Sequence, residues 1–362
     1  MIDFKEPLLL SSGLYLKNRL IMAPMINVSS TENGEISHAD IQYYEERAEG
    51  LAAVITGAAY VTENGKGWRG QFKVSDNESI PQLAEIAKAI QSKGAKAILQ
   101  IFHAGRLAKS QIIGEQPVSA SFVKLSADAE QPRELKEKEI QEIIEAFGQA
   151  TRRAIRAGFD GVEIHGANMA LVQQFFSRHS NIRNDYWGGS LENRMHFPLA
   201  VIDRVLEEVN FAQCSEFAVG YRLSPVEYVM PGIGLDESLE FLRYLEKRRL
   251  DYIHLSLGDY AELSNSKAFR DKTLVAYIYD ALIGTGIPLI AGGAVRSRND
   301  IERVLEKADL CFIGQQLLID PAFVSKLNEN RDSEFIRKDF SEAIHDLKLS
   351  PQLYQYLKNR YQ

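Results

Sequence analysis

The sequence has few cysteines and no long apolar run. Its two cysteines, Cys214 and Cys311, among 362 residues are too few and too far apart for a four-thiolate iron–sulfur cluster or a structural metal site. No apolar stretch approaches the roughly 20 residues of a membrane-spanning helix, and the N-terminus lacks the basic-then-apolar order of a signal peptide. These absences predict a cytoplasmic protein with reduced thiols, no metal and no membrane partner.

Excess positive charge is also lacking. The chain has 42 Lys and Arg against 49 Asp and Glu, a formal net charge of -7, and no long basic run that could follow a phosphate backbone. Nucleic acid is therefore not an expected partner. With 45% hydrophobic and 25% charged residues, the composition is that of a globular protein with a large core. We expect a small-molecule substrate. The composition is compatible with either a monomer or a homo-oligomer.

Eight short apolar runs, bounded by Gly, Pro or Asp, predict eight buried parallel strands. They lie at residues 19–24, 53–56, 97–101, 161–164, 217–222, 252–256, 288–291 and 310–313. Helical patterns separate them, the clearest at 139–157, where apolar residues recur every three or four positions. Further helices are predicted at 79–92, 192–209, 236–248, 268–283 and 298–307.

This alternation favours an α/β fold, a closed (β/α)8 TIM barrel. We expect a single domain over residues 1–362, with C-terminal helices from about residue 321. An open doubly wound sheet is the alternative, but no Gly-rich dinucleotide-binding turn follows the first strand. Two extended segments, 8–10 and 14–16, predict a short N-terminal β-hairpin plug. The long polar connection 111–137 is expected to cross the barrel mouth as an ordered excursion.

Polar side chains stand at the ends of several predicted strands, where barrel enzymes carry their reactive groups. Gln100 lies at the third strand, His165 and Asn168 follow the fourth, and Arg222 ends the fifth. His165 and Asn168 are three residues apart across a turn, so both can donate to one oxygen and polarise a carbonyl. The alternative is that His165 satisfies local backbone and Asn168 caps the next helix.

Glycines follow the seventh and eighth strands, in the two loops where barrels commonly bind a phosphate through backbone amides. Gly292 and Gly293 belong to the first loop and Gly314 to the second. With Gln100 and Arg222 at the same mouth, they suggest a phosphorylated cofactor whose polar ring edge needs hydrogen bonds. A flavin-free lyase or isomerase acting on a phosphorylated metabolite would use the same loops.

Four segments resemble the old yellow enzyme family of FMN-dependent oxidoreductases, and together they span nearly the whole chain. They are residues 18–25 (NRLIMAPM), 100–106 (QIFHAGR), 158–168 (GFDGVEIHGAN) and 181–194 (NIRNDYWGGSLENR). The last two in succession are highly specific. The resemblance implies FMN as cofactor, NADH or NADPH as reductant, and ene-reductase chemistry, in which hydride passes to the β-carbon of an α,β-unsaturated carbonyl compound.

The resemblance also implies a role for each matching position. Residues along the flavin ring and its carbonyls would be Ala23, Pro24, Met25, Ile26 and Gly57. Gln100 would bind the pyrimidine edge, and Arg222 would lie by N1 and O2, where its charge would stabilise the anionic reduced flavin. Gly292, Gly293, Gly314 and Gln315 would hold the phosphate. His165 and Asn168 would bind the carbonyl oxygen of the substrate.

The expected proton donor is missing. Relatives carry Gly-Tyr after the His-x-x-Asn unit, whereas this chain has Met169 and Ala170. Water, Tyr60 or Tyr228 are the candidate replacements. Because a general acid contributes about 10²- to 10⁴-fold, alkene reduction could persist slowly without one. The alternative is an FMN-binding barrel with altered or lost turnover.

Two further positions depart from the family's pattern. Ile26 stands where relatives often place a Cys or Thr that tunes the flavin, and Gln315 stands where an Arg commonly clamps the phosphate. Loss of that Arg removes a charge-assisted contact. FMN is therefore expected to bind more weakly unless Arg296 or another cation compensates.

Overall fold

A computed structural model describes residues 2–264, 266–336, 340–344, 347 and 349–361. The strands are β1 Leu8–Leu9, β2 Tyr15–Leu16, β3 Leu20–Met22, β4 Ala53–Ile55, β5 Ala59–Tyr60, β6 Lys96–Phe102, β7 Val118–Ser119, β8 Arg133–Glu134, β9 Gly161–Gly166, β10 Ala218–Leu223, β11 Tyr252–Leu255, β12 Leu289–Gly292 and β13 Leu310–Ile313. The α-helices are α1 His38–Arg47, α2 Ile80–Ser92, α3 Ser110–Ile113, α4 Glu137–Arg156, α5 Leu171–Phe176, α6 Leu191–Ala212, α7 Leu235–Leu245, α8 Leu274–Leu282, α9 Arg298–Val304, α10 Gln315–Ile319, α11 Phe323–Asn328, α12 Phe340–Ala343 and α13 Pro351–Tyr361.

Eight parallel strands close a barrel, as predicted. Their order around the barrel is β3, β4, β6, β9, β10, β11, β12, β13 and back to β3. Closure rests on the pairing of Met22 with Ile313 on one side and of Ala53 with Lys96 on the other. Each predicted strand lies within two residues of the observed one, because short apolar runs between turn residues mark strands that are buried on both faces.

The predicted hairpin plug is also present. Strands β1 and β2 pair antiparallel, and Leu10, Leu14 and Leu16 are buried against Ile98 and Leu310 from the barrel strands. The plug therefore covers the amino-terminal end of the strands with apolar side chains. The opposite end, where the strands reach their carboxyl termini, is left for a site.

The six predicted helices are present, and all but one have both ends within three residues of the predicted ones. The short helices α3, α5 and α10 were not predicted. The helix predicted at 268–283 begins only at Leu274, because the Thr273 side chain caps it by accepting from the Ala276 amide. Helix α1 was not predicted, although its start carries a capping box in which Ser37 and Asp40 satisfy each other's backbone amides. No helix in the described part of the chain combines the length and apolarity needed to cross a membrane.

The connection 111–137 is ordered, as predicted. It contains the parallel pair β7 and β8 and is held against the barrel by Arg183, whose Nη1 donates to the carbonyls of Ala120 and Leu135 at 3.0 and 2.8 Å. Arg106 Nη1 donates to the carbonyls of Val123 and Lys124, both at 3.2 Å. These contacts fix the loop beside the barrel's open end.

Candidate active site

A cavity of about 480 Å³ opens at the carboxyl ends of the barrel strands. Eleven of the thirteen predicted site residues line it, namely Ala23, Pro24, Met25, Ile26, Gln100, His165, Asn168, Arg222, Gly293, Gly314 and Gln315. The exceptions are Gly57 and Gly292. The Gly57 amide donates to the Tyr44 hydroxyl at 2.7 Å. A Cβ on Gly292 would lie 2.5 Å from the Phe312 carbonyl oxygen, so this glycine permits close strand packing.

The barrel interior directly below the cavity is a polar layer rather than an apolar one. Gln100 Nε2 donates to Glu163 Oε1 at 2.7 Å, and His254 Nδ1 lies 2.8 Å from Glu163 Oε2. Arg222 belongs to the same layer, since its strand pairs with those of His254 and His165 at equal height. Arg222 Nε has no hydrogen-bond partner in the described part of the chain. A buried orphaned donor on a cation suits an anionic or carbonyl-bearing ligand above it.

Burial and charge set the protonation states of this layer. Burial raises the pKa of Glu163, but the electrostatic interaction and hydrogen bond with His254, the charge of Arg222 and the hydrogen bond from Gln100 outweigh it and hold that pKa below its usual range. Burial lowers the pKa of His254 and outweighs the opposing effect of the Glu163 carboxylate, and the charge of Arg222 adds to the lowering. Below the cavity we therefore infer an ionised Glu163, a cationic Arg222 and a neutral His254.

His165 and Asn168 point two nitrogens toward each other at the cavity wall. Asn168 Nδ2 lies 3.4 Å from His165 Nε2, and the Ala167 amide donates to His165 Nδ1 at 3.4 Å. Burial, with the charge of Arg222, lowers the pKa of His165 to about 3, so its ring is neutral. Because Nδ1 accepts from the Ala167 amide, we assign the ring proton to Nε2. Two N–H donors facing each other cannot bond mutually, but they can converge on one acceptor.

Serine side chains hold Asn168 in this orientation. Ser256 Oγ donates to Asn168 Oδ1 at 2.8 Å, and the Asn168 amide donates to Ser224 Oγ at 3.0 Å. The side-chain oxygen is thereby occupied, which leaves Nδ2 for a ligand. Asn168 and Met169 both have left-handed backbone, with φ of 53° and 59°. Asn tolerates this conformation, whereas Met does so at a cost.

The loops after β12 and β13 can hold a phosphate. Gly293 has φ of 106°, and a Cβ there would lie 2.9 Å from backbone atoms of Leu257, Gly258 and Asp259. Only glycine fits this position, where backbone closely approaches backbone. Arg296 and Arg360 line the same cavity as Gln315, so two arginines besides Arg222 border it.

The wall next to Ala170 is apolar. Ala170 is fully buried in a cluster with Ala58, Phe102, Ala104 and Ala108, and Trp68 and Leu107 pack against this cluster. Phe102, Trp68 and Leu107 also line the cavity. The position at which relatives carry the tyrosine is thus surrounded by apolar side chains.

The proposed substitute donors lie elsewhere. Neither Tyr60 nor Tyr228 lines the cavity. The Tyr60 hydroxyl donates to the Asn33 carbonyl at 3.3 Å, and Tyr228 is 62% exposed and bonds to Glu262. Tyr356 does line the cavity, from α13, and its hydroxyl accepts from Arg360 Nη1 at 2.9 Å. Sequence reasoning missed Tyr356 because no strand-end position marks a helix beyond the barrel.

These residues fit FMN. The cavity offers glycine-rich backbone and two arginines for a phosphate, and an amide with a buried cation for a polar ring edge. Its volume falls within the range of cofactor pockets. Glu163 is a second residue that sequence reasoning missed, although a charged residue between Val162 and Ile164 in a buried strand was a usable signal.

Comparisons with known proteins find a matching family model and similar relatives. A family model described as the NADH:flavin oxidoreductase / NADH oxidase family matches residues 4–334. A probable NADH-dependent flavin oxidoreductase of Bacillus subtilis (strain 168) is 41% identical over 333 residues, covering 91% of this chain and 88% of that protein. An NADH:acrylate oxidoreductase of Vibrio harveyi is also 41% identical, over 95% of this chain but 35% of that protein.

The fold has counterparts among solved structures. The old yellow enzyme homologue of Zymomonas mobilis matches with a TM-score of 0.81 at 23% identity, and the match covers 98% of both chains. At this identity the likeness concerns the fold. The chain spans about a third of the length of the acrylate oxidoreductase, so the activity of that whole protein is not transferred to it.

Proposed function

We propose that this chain, which belongs to the NADH:flavin oxidoreductase / NADH oxidase family, reduces an activated alkene of the α,β-unsaturated carbonyl class. Family membership confirms the predicted resemblance to old yellow enzymes. It makes the protein an oxidoreductase with FMN as cofactor and a nicotinamide nucleotide as reductant. It also removes the flavin-free lyase or isomerase alternative.

The observation that carries the proposal is the pair of facing donors. His165 Nε2 and Asn168 Nδ2 lie 3.4 Å apart, and each is held by a contact at its other end, from the Ala167 amide and from Ser256. A carbonyl oxygen bound by both N–H groups would be stabilised as negative charge develops on it. Such fixed donors need no reorganisation during the reaction, which is why they stabilise charge better than water does.

The overall reaction needs one hydride and one proton. The alkene gains hydride at its β-carbon and a proton at its α-carbon, while NADH or NADPH is oxidised to NAD⁺ or NADP⁺. Bound FMN supplies the hydride chemistry between the two. The residues of this chain orient the carbonyl, withdraw charge through it and exclude water with the apolar wall of Trp68, Phe102 and Leu107.

Half-reactions test the proposal. The FMN-loaded protein is reduced anaerobically with NADH or NADPH and then mixed with 2-cyclohexenone, and the visible flavin spectrum reports reoxidation. Asn168→Ala is expected to slow reoxidation about 10²- to 10³-fold, the usual cost of removing one such donor. Asn330→Ala is the matched control, because Asn330 also has positive φ, 58°, but does not line the cavity. Equal rates for Asn168→Ala and the control would contradict the proposal.

A second candidate function is favoured by the burial of Ala170. Position 170 lies among apolar side chains and carries no tyrosine. The site therefore suits an acceptor that takes two electrons without protonation at carbon, such as a quinone or a second flavin. The acrylate oxidoreductase, of which this chain covers 35%, shows a relative of this chain as part of a longer protein. In this case the reduced enzyme would reoxidise rapidly with a quinone and form no cyclohexanone.

A further inference from the structure

A buried carboxylate in the barrel takes no part in the steps proposed above. Glu163 lies in β9 and is fully buried, two residues before His165. Its two oxygens contact Gln100 Nε2 at 2.7 Å and His254 Nδ1 at 2.8 Å. Burial of a carboxylate is costly unless it is paired and hydrogen-bonded. Its place directly below the cavity therefore suggests a role toward the cofactor.

The first consequence concerns the orientation of Gln100. Its amide nitrogen donates to Glu163, and a carboxylate can only accept, so the nitrogen end of the amide is fixed at this contact. The amide oxygen is then the end that remains for the cavity, which Gln100 lines. An oxygen there accepts a hydrogen bond, which suits the one N–H group of the oxidised flavin ring, on its pyrimidine part.

The second consequence concerns charge. Arg222 is buried and lines the cavity, and Glu163 interacts electrostatically with it from within the barrel. With His254 neutral, Glu163 and Arg222 together carry no net charge. Charges separated by protein interior are screened far less than charges in water. Removal of the carboxylate would therefore expose the cofactor to the uncompensated charge of Arg222.

We propose that Glu163 is a positioning residue for FMN, whose carboxylate fixes Gln100 as a hydrogen-bond acceptor and offsets the charge of Arg222. It thereby sets the affinity and the reduction potential of the bound cofactor. The inference rests on FMN binding in this cavity, as the proposed function does, but not on which acceptor is reduced.

Spectroelectrochemistry of the FMN-loaded protein tests the charge effect. Glu163→Gln is expected to shift the ratio of reduced to oxidised FMN at least tenfold toward the reduced, anionic form, which is about 30 mV for a two-electron couple. Glu237→Gln is the control, since it removes a buried carboxylate paired with Arg194 away from the cavity and should leave the potential unchanged.

Glu163→Asp tests the positioning effect and serves if Glu163→Gln does not fold. It keeps the charge but shortens the side chain by one methylene, so the contact with Gln100 is lost. We expect an unchanged potential and an FMN dissociation constant raised at least tenfold, measured by fluorescence titration. Wild-type potential for Glu163→Gln, or wild-type affinity for Glu163→Asp, would overturn the inference. A wild-type protein that binds FMN but does not reoxidise with cyclohexenone would instead contradict the alkene proposal alone.

Discussion

Restoring the missing tyrosine tests what its absence means for catalysis. Ala170 is fully buried among Ala58, Phe102, Ala104 and Ala108, so the larger ring introduced by Ala170→Tyr must displace packed side chains. Overpacking of this kind costs about 1–3 kcal/mol of unfolding free energy. Ala170→Phe carries nearly the same bulk without the hydroxyl and is the matched control. Both variants are expected to lose that stability, measured by urea unfolding.

The catalytic gain follows from the hydroxyl alone. A general acid contributes about 10²- to 10⁴-fold, which corresponds to about 3–5 kcal/mol of activation free energy. Reduced Ala170→Tyr should therefore be reoxidised by 2-cyclohexenone about 10²- to 10⁴-fold faster than reduced Ala170→Phe. Stopped-flow absorbance under anaerobic conditions measures both rates. Equal rates for the two variants would refute the reasoning that a missing acid limits alkene reduction. Wild-type stability for both would refute the description of a filled apolar wall.

Two further predictions concern the same turn. Because the pKa of His165 is lowered to about 3, the pH profile of the reoxidation rate should show no inflection near pH 6.5. An inflection there that disappears in the His165→Gln variant would contradict a neutral ring. Since the unfolded chain binds a proton that native His165 does not, its contribution to stability is full above about pH 6.5 and is lost as the pH falls toward 3. Met169→Gly should raise the unfolding free energy by up to about 1 kcal/mol, because φ of 59° is costly for Met and free for Gly. A less stable variant in thermal unfolding would show instead that the Met169 side chain outweighs this strain.

Much of the site could be predicted because strand ends are local features of the sequence. Gln100, His165 and Arg222 each end or follow an apolar run, and parallel strands bring such positions to one mouth. The glycines after β12 and β13 were found in the same way. The fold class needed only the alternation of strand and helix patterns.

Other features depend on contacts between residues far apart in sequence. The Gly57 amide donates to the Tyr44 hydroxyl, and α13 brings Tyr356 and Arg360 to the cavity from beyond the barrel. The number of residues between two elements does not show whether their side chains meet in the fold. A periodic pattern indicates which face of a helix is buried but not what it is buried against.

The sequence by itself determined the barrel, its hairpin plug and the strand-end position of His165 and Asn168, since each depends on the local alternation of apolar and turn residues. Only the tertiary structure decided how those side chains act. Ser256 fixes the orientation of Asn168, and Glu163 reaches Gln100 and His254 across the barrel interior. These partners are 63 to 91 residues apart, and their meeting results from barrel closure, which no local pattern encodes.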